Sequence, residues 1–127
     1  MNCLLSKKVK FIAAEKNFEN KIKDFLKENK CWYVKFFANA FTKSGIPDIL
    51  SCVNGHFVAI EVKAENGTPS ELQKYNIRRI NESCGIGIVL YPHQFPLFCR
   101  MINDLIDGHD MHAWMIAHEI NEQSGVD

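Results

Sequence analysis

The chain has 127 residues, of which 46% are hydrophobic and 24% charged, with fifteen basic and fifteen acidic side chains. That is chain enough for a single domain with one core, and an ordinary globular composition, which excludes a disordered or low-complexity protein. No apolar run reaches the roughly 20 residues of a membrane span, and the first residues hold no h-region of signal-peptide length. Five cysteines without a C-x₂-C pair argue for free thiols in a reducing compartment and against structural zinc. The expectation is a soluble cytoplasmic protein. The zero net charge conceals an asymmetry: residues 1–43 carry ten lysines against four acids, a local +6. Such a half is compatible with a phosphate-binding surface.

Residues 1–13 form a basic and apolar lead-in with no clear structural signal. From about Ala14 to Asn29, Phe18, Ile22, Phe25 and Leu26 recur at helical spacing and make one arc of a wheel. Glu19 falls at the edge of that arc, where it can reach a sheet or simply pair with Lys23 four residues on. Glu15 lies one turn earlier on the same side. The aromatic-rich stretch Cys31–Asn39 reads as a first strand, followed by a loop with Lys43, Ser44 and Gly45. Pro47 holds Ile46 extended at its end.

Asn54-Gly55 between two apolar, β-branched runs is a strong hairpin signal. A two-residue turn there opposes Val53 to His56, Cys52 to Phe57, Leu50 to Ala59 and Asp48 to Glu61. Opposed side chains share a face at about 5 Å, and Lys63 projects from it too. Two facing carboxylates destabilise a sheet unless a cation joins them. A metal site is therefore expected at Asp48 and Glu61. The two strands are apolar on both faces, which predicts that both faces are covered.

Thr68-Pro69-Ser70-Glu71 reads as a capping box, with Thr68 as N-cap, for a helix running to about Asn81 or Glu82. Gln73 falls on its apolar face between Ile77 and Ile80, where it needs a partner; Lys74 flanks that face and Arg78 lies opposite. Gly85–Tyr91 is a buried strand ended by Pro92. A helix beyond Pro96, with Leu97, Met101, Ile102, Leu105 and Ile106 as its stripe, stops at Gly108. A last helix spans about 110–123, and His109, His112 and His118 on it fit no zinc spacing. Its apolar residues suit either packing on the core or a dimer surface.

Gly45-Ile46-Pro47-Asp48 followed by Glu61-Val62-Lys63, with Phe18-Glu19, Lys43-Ser44 and Gln73 in order, resembles the PD-(D/E)XK nuclease superfamily. Within it the chain looks most like the VRR-NUC family in its small stand-alone bacteriophage form, over roughly residues 15–92. The resemblance implies an α/β (α+β) fold with a restriction-endonuclease-like αβββαβ core: a mixed central sheet flanked by helices, and here C-terminal helices over about 93–123. It implies a Mg²⁺-dependent DNA endonuclease, with Mn²⁺ able to substitute. Asp48, Glu61 and the Val62 carbonyl would hold metal, and Glu19 would join them directly or through water, since the family places an acid on the first helix. Lys63 would position or deprotonate a water, and Gln73 would lie over the site. Lys43, Ser44, Lys74 and Arg78 are the expected DNA contacts. The family also implies branched DNA such as four-way (Holliday) junctions, a homodimer, and a phage or prophage origin in a bacterial host cytoplasm. A flap-type or non-specific nuclease, or a non-catalytic DNA-binding module, would use the same fold.

Overall fold

The computed structural model describes residues 3–126. Its elements run α1 (Cys3–Glu28), β1 (Trp32–Lys35), β2 (Ile49–Val53), β3 (His56–Val62), α2 (Glu71–Glu82), β4 (Ile86–Leu90), α3 (Phe95–Ile106) and α4 (Asp110–Gln123), with a 3-10 turn at Pro92–Gln94. The expected αβββαβ order and the added helices are both present. The four strands form one mixed sheet in the order β1-β2-β3-β4, antiparallel except for the parallel β3–β4 pair.

The hairpin has the register its turn demands: Val53 pairs with His56, Cys52 with Phe57 and Leu50 with Ala59. Asn54 and Gly55 both take positive φ, 47° and 84°, as a type I′ turn requires. The Asn54 side chain also donates to the Leu105 carbonyl at 2.9 Å, pinning the hairpin tip to α3.

One face of the sheet is a continuous core. Ile49, Val53, Val58 and Ile60, with Ile86, Ile88 and Leu90, pack against Phe18, Ile22 and Leu26 of α1 and against α3 and α4. Helix α1 ends in a Schellman motif, with Lys30 left-handed at φ 59° and the Cys31 N–H bonded to the Leu26 carbonyl. On the other face α2 covers β3 and β4, with Ile77 against Val89. Helix α4 finishes the outer edge of β4. Asn121 bonds both the Val89 N–H and the Gly87 carbonyl, and the Ser124 hydroxyl donates to the Val89 carbonyl. These bonds supply partners to an edge that would otherwise be open. The C-terminal helices therefore pack on the core.

Five expectations need correction. The lead-in is helical, so α1 begins at Cys3 and not near Ala14; nothing in residues 3–28 is Gly or Pro to stop it. β1 ends at Lys35, because only one further bond, Phe36 N–H to the Asp48 carbonyl, continues the ladder. Helix α2 is capped by Ser70, not Thr68. Ile106 is exposed, not part of the buried stripe of α3. Finally, the hairpin is not covered on both faces. Cys52 is exposed, Leu50 half-buried and Phe57 46% exposed, beside Trp32 and Val34 of β1. A groove of about 630 Å³ separates this open sheet face from α2. No described helix is long and apolar enough to cross a membrane.

Candidate metal and nucleic-acid site

The hairpin ladder, carried one step past Ile49–Ile60, sets Asp48 against Glu61 at the end of the sheet. Asp48 is fixed from two sides. Its Oδ2 accepts the Val62 N–H at 2.8 Å, and its Oδ1 lies 3.3 Å from the Lys35 ammonium. Glu61 is 1% exposed, and neither of its carboxylate oxygens has a hydrogen-bond partner among the described residues. Burial, reinforced by the neighbouring Asp48, pushes Glu61 up to about 9, against a smaller opposite pull from Lys63. Lys63 directly follows β3, and its own N–H bonds the Leu90 carbonyl. The sequence-predicted trio of Asp48, Glu61 and Lys63 is thus brought together.

The two acids of α1 differ in their surroundings. Glu15 is half-buried, and its pKa is raised by burial while Lys63 pulls it down and Asp48 pushes it up. The Ala64 backbone and Lys35 also lower it. Glu19 is buried and ringed by ammonium groups: Lys35 at 2.6 Å, Lys16 at 3.2 Å and Lys23 at 3.3 Å. Burial alone would raise it, but the bonds from Lys35, Lys16 and Lys23 together hold it below its ordinary value. The Lys23 pairing is the one expected of a boundary glutamate, and Lys35 adds a partner the sequence did not suggest. Asp48 bonds Lys35 and acts on both Glu15 and Glu61.

The chemistry of the donors fits a hard divalent cation. Mg²⁺ takes oxygen ligands, keeps several waters and needs only one or two carboxylates. Glu61 offers two buried oxygens with no other partner, next to Asp48. Among the described residues no three His, Cys, Asp or Glu side chains converge as a ready cage. His56, His93 and His109 instead pair singly with Asp110, Glu65 and Asp104.

Gln73 is placed differently from its expected position. It is half-buried, and Asn76 and Ile77 form the buried face of α2. Its Oε1 accepts the Ser70 N–H at 2.8 Å while its own N–H donates to Ser70 Oγ at 3.1 Å, a reciprocal capping box. Ser70→Ala is expected to cost about 1 kcal/mol of stability, a fall in Tm of several degrees. Thermal melts followed by circular dichroism check this; an unchanged Tm would mean the cap carries no weight.

Asn76 is a residue the sequence reading missed. Its Nδ2 donates to the carbonyls of Gly45 at 3.0 Å, Leu72 at 3.2 Å and Ser44 at 3.3 Å. The loop that delivers Asp48 is thereby tied to α2. Gly45 has φ 76°, and a Cβ there would come within 2.8 Å of Leu72 Cγ. The loop can dock this closely only with glycine at that position. A buried polar residue beside Ile77 was the available signal.

The expected DNA contacts are scattered. Lys43 is exposed and lines the 630 Å³ groove with Arg79 and Phe57. Ser44 is exposed, Lys74 is half-buried and pairs with Glu71 at 3.0 Å, and Arg78 is half-buried. A second trough of about 560 Å³ runs from Lys7, Lys8 and Lys10 of α1 to Ala64, Glu65 and Asn66, just past Lys63.

Residues 13–84, more than half of the chain, match the family model described as archaeal Holliday junction resolvase (hjc). No curated protein and no solved structure matches the chain.

Proposed function

This chain belongs to the archaeal Holliday junction resolvase (hjc) family, and on that premise we propose that it is a divalent-metal-dependent endonuclease acting on four-way DNA junctions. The observation that carries the metal dependence is Glu61: among the described residues no cation or N–H bonds its two buried carboxylate oxygens, and the neighbour it has is another carboxyl, Asp48. A buried carboxylate in that condition is costly unless it is protonated or meets a cation.

In this reading Asp48 and Glu61 hold Mg²⁺ or Mn²⁺, with the Val62 carbonyl as a further ligand by family likeness and Glu15 or Glu19 outside them. The bound metal supplies an activated water and charge stabilisation at the attacked phosphate. The Val62 N–H fixes the Asp48 carboxylate through Oδ2, leaving Oδ1 on the Lys35 side. Lys63 balances phosphate charge and orients the water. Asn76 and Gly45 fix the loop on which Asp48 sits. Lys43 in the groove and Lys7, Lys8 and Lys10 along the trough give phosphates a place to bind.

Each chain offers one such site, and two opposed strands of a junction need two cuts. A twofold homodimer supplies both sites in symmetric positions. The placement in the VRR-NUC branch rests on Gly45-Ile46-Pro47-Asp48, Glu61-Val62-Lys63 and Gln73 in order.

The test is cleavage of a labelled four-way junction beside linear duplex and flap controls, with Mg²⁺, Mn²⁺ or EDTA. Junction cutting that needs metal and disappears in Lys63→Ala is the expected result. Cutting of every duplex alike would keep the chemistry and remove the junction preference. Failure of the folded, metal-bound protein to cut anything would leave a DNA-binding module.

A further inference from the structure

Lys35 is the last residue of β1, and nothing in its sequence context marks it out. The fold gives it two buried or half-buried acids, Glu19 at 2.6 Å and Asp48 at 3.3 Å, from elements 16 and 13 residues away in sequence. Burial works against its charge, but Glu19 and Asp48 together outweigh that and keep the ammonium firmly protonated. The main chain reinforces the pairing, since the next residue, Phe36, donates its N–H to the Asp48 carbonyl at 2.8 Å. The backbones that carry the two side chains are therefore tied together at the end of the sheet.

This arrangement conflicts with a metal at the same carboxylate. Mg²⁺ sits about 2.1 Å from its ligand oxygens. Bound to Asp48 Oδ1, it would lie at most about 5.4 Å from an ammonium left at its present 3.3 Å. A divalent ion and an ammonium that close, with few waters between, repel strongly. Glu19 offers the ammonium an alternative, because its contact with Lys35 is the shorter one and Lys16 and Lys23 hold it in place.

We propose that Lys35 is a positioning residue that takes the place of the metal on Asp48: its ammonium aligns Asp48 and Glu19 in the metal-free protein and yields Asp48 Oδ1 to the incoming ion while staying on Glu19. The proposal rests on the metal-dependent reading above. It makes Glu19 the anchor of Lys35.

Lys35→Met keeps the length of the stem and removes the charge. Two readouts, neither involving cleavage, test it. In calorimetric titration with Mn²⁺, the variant is expected to bind about tenfold tighter than wild type. In thermal unfolding, it is expected to melt several degrees lower in EDTA, and saturating Mn²⁺ is expected to raise its Tm by more than it raises that of wild type. Lys35→Arg, which keeps the charge, should bind Mn²⁺ like wild type. Unchanged or weaker Mn²⁺ binding by Lys35→Met overturns the proposal. So does a Tm deficit that Mn²⁺ does not narrow, or a variant that stays unfolded in Mn²⁺, since a purely structural lysine would behave that way. Wild type that binds no Mn²⁺ at all would instead sink the metal-dependent reading itself.

Discussion

Asp48→Asn is expected to lower metal-dependent junction cleavage by about a thousandfold while leaving the protein folded. Asp48 bonds Lys35, which also holds Glu19, and it acts on Glu61 across the hairpin. The amide keeps the shape and can still accept the Val62 N–H that now bonds Oδ2. It loses the charge that would bind the metal and oppose Lys35. Metal stabilisation of a phosphoryl transition state amounts to several kcal/mol, and each 1.36 kcal/mol is tenfold in rate. Single-turnover cleavage of a labelled junction measures the loss, and Mn²⁺ titration of the same variant shows whether it lies in metal binding. Cleavage within tenfold of wild type would mean that Asp48 is no ligand and that the site lies elsewhere.

How much of this was legible in the sequence depends on how local each signal is. Asn54-Gly55 fixes both turn and register, so the opposition of Asp48 and Glu61 could be counted out before any coordinates. Helix α4 was equally readable, between the Gly108 stop and the polar residues after Gln123. The start of α1 was not, because its first turns bury no stripe: Leu5, Val9 and Ile12 stay exposed. Hydrophobic period cannot reveal a helix that packs against little. The cap of α2 misled for another reason. Thr68-x-x-Glu71 and Ser70-x-x-Gln73 both fit the capping-box pattern, and the chain uses the second.

The least readable features are those made by side chains distant in sequence. The apolar face of Leu50, Cys52 and Phe57 looks like core to any pattern rule, yet α2 reaches only β3 and β4. Lys35 looks like the polar end of an aromatic strand. Its meaning comes from Glu19 and Asp48 converging on it, which composition and spacing do not carry. Gln73 shows the converse: a residue given a role by family likeness has its Oε1 engaged in a local cap. Its part in the reaction is a separate question, which Gln73→Glu and Gln73→Ala cleavage rates would answer.

The second large effect concerns pH and Glu61. With metal removed, Glu61→Gln is expected to flatten the loss of stability that the wild-type protein shows between neutral and alkaline pH. Burial and the nearby Asp48 raise Glu61 from 4.5 to about 9, so the folded state keeps a proton that the unfolded chain has released. A raised pKa gives stability that is full below about pH 4.5 and is lost progressively as pH climbs through about 9. Glu19, held low by its lysines, has the opposite sense and acts only toward acid. Glutamine keeps the neutral form of the side chain at every pH, so the variant lacks the Glu61 contribution to this slope. Thermal melts in EDTA from pH 5.5 to 9 should show the wild-type Tm falling relative to the variant by on the order of 5 °C or more. Comparing the two proteins cancels the contributions of every group they share. Because a metal ligand must give up its proton, Mn²⁺ should also bind wild type more tightly as pH rises, and should raise the alkaline Tm of wild type by more than that of Glu61→Gln. Parallel pH profiles for the two proteins would mean that Glu61 is charged and accommodated without metal, and the central argument for a cation at this site would be lost.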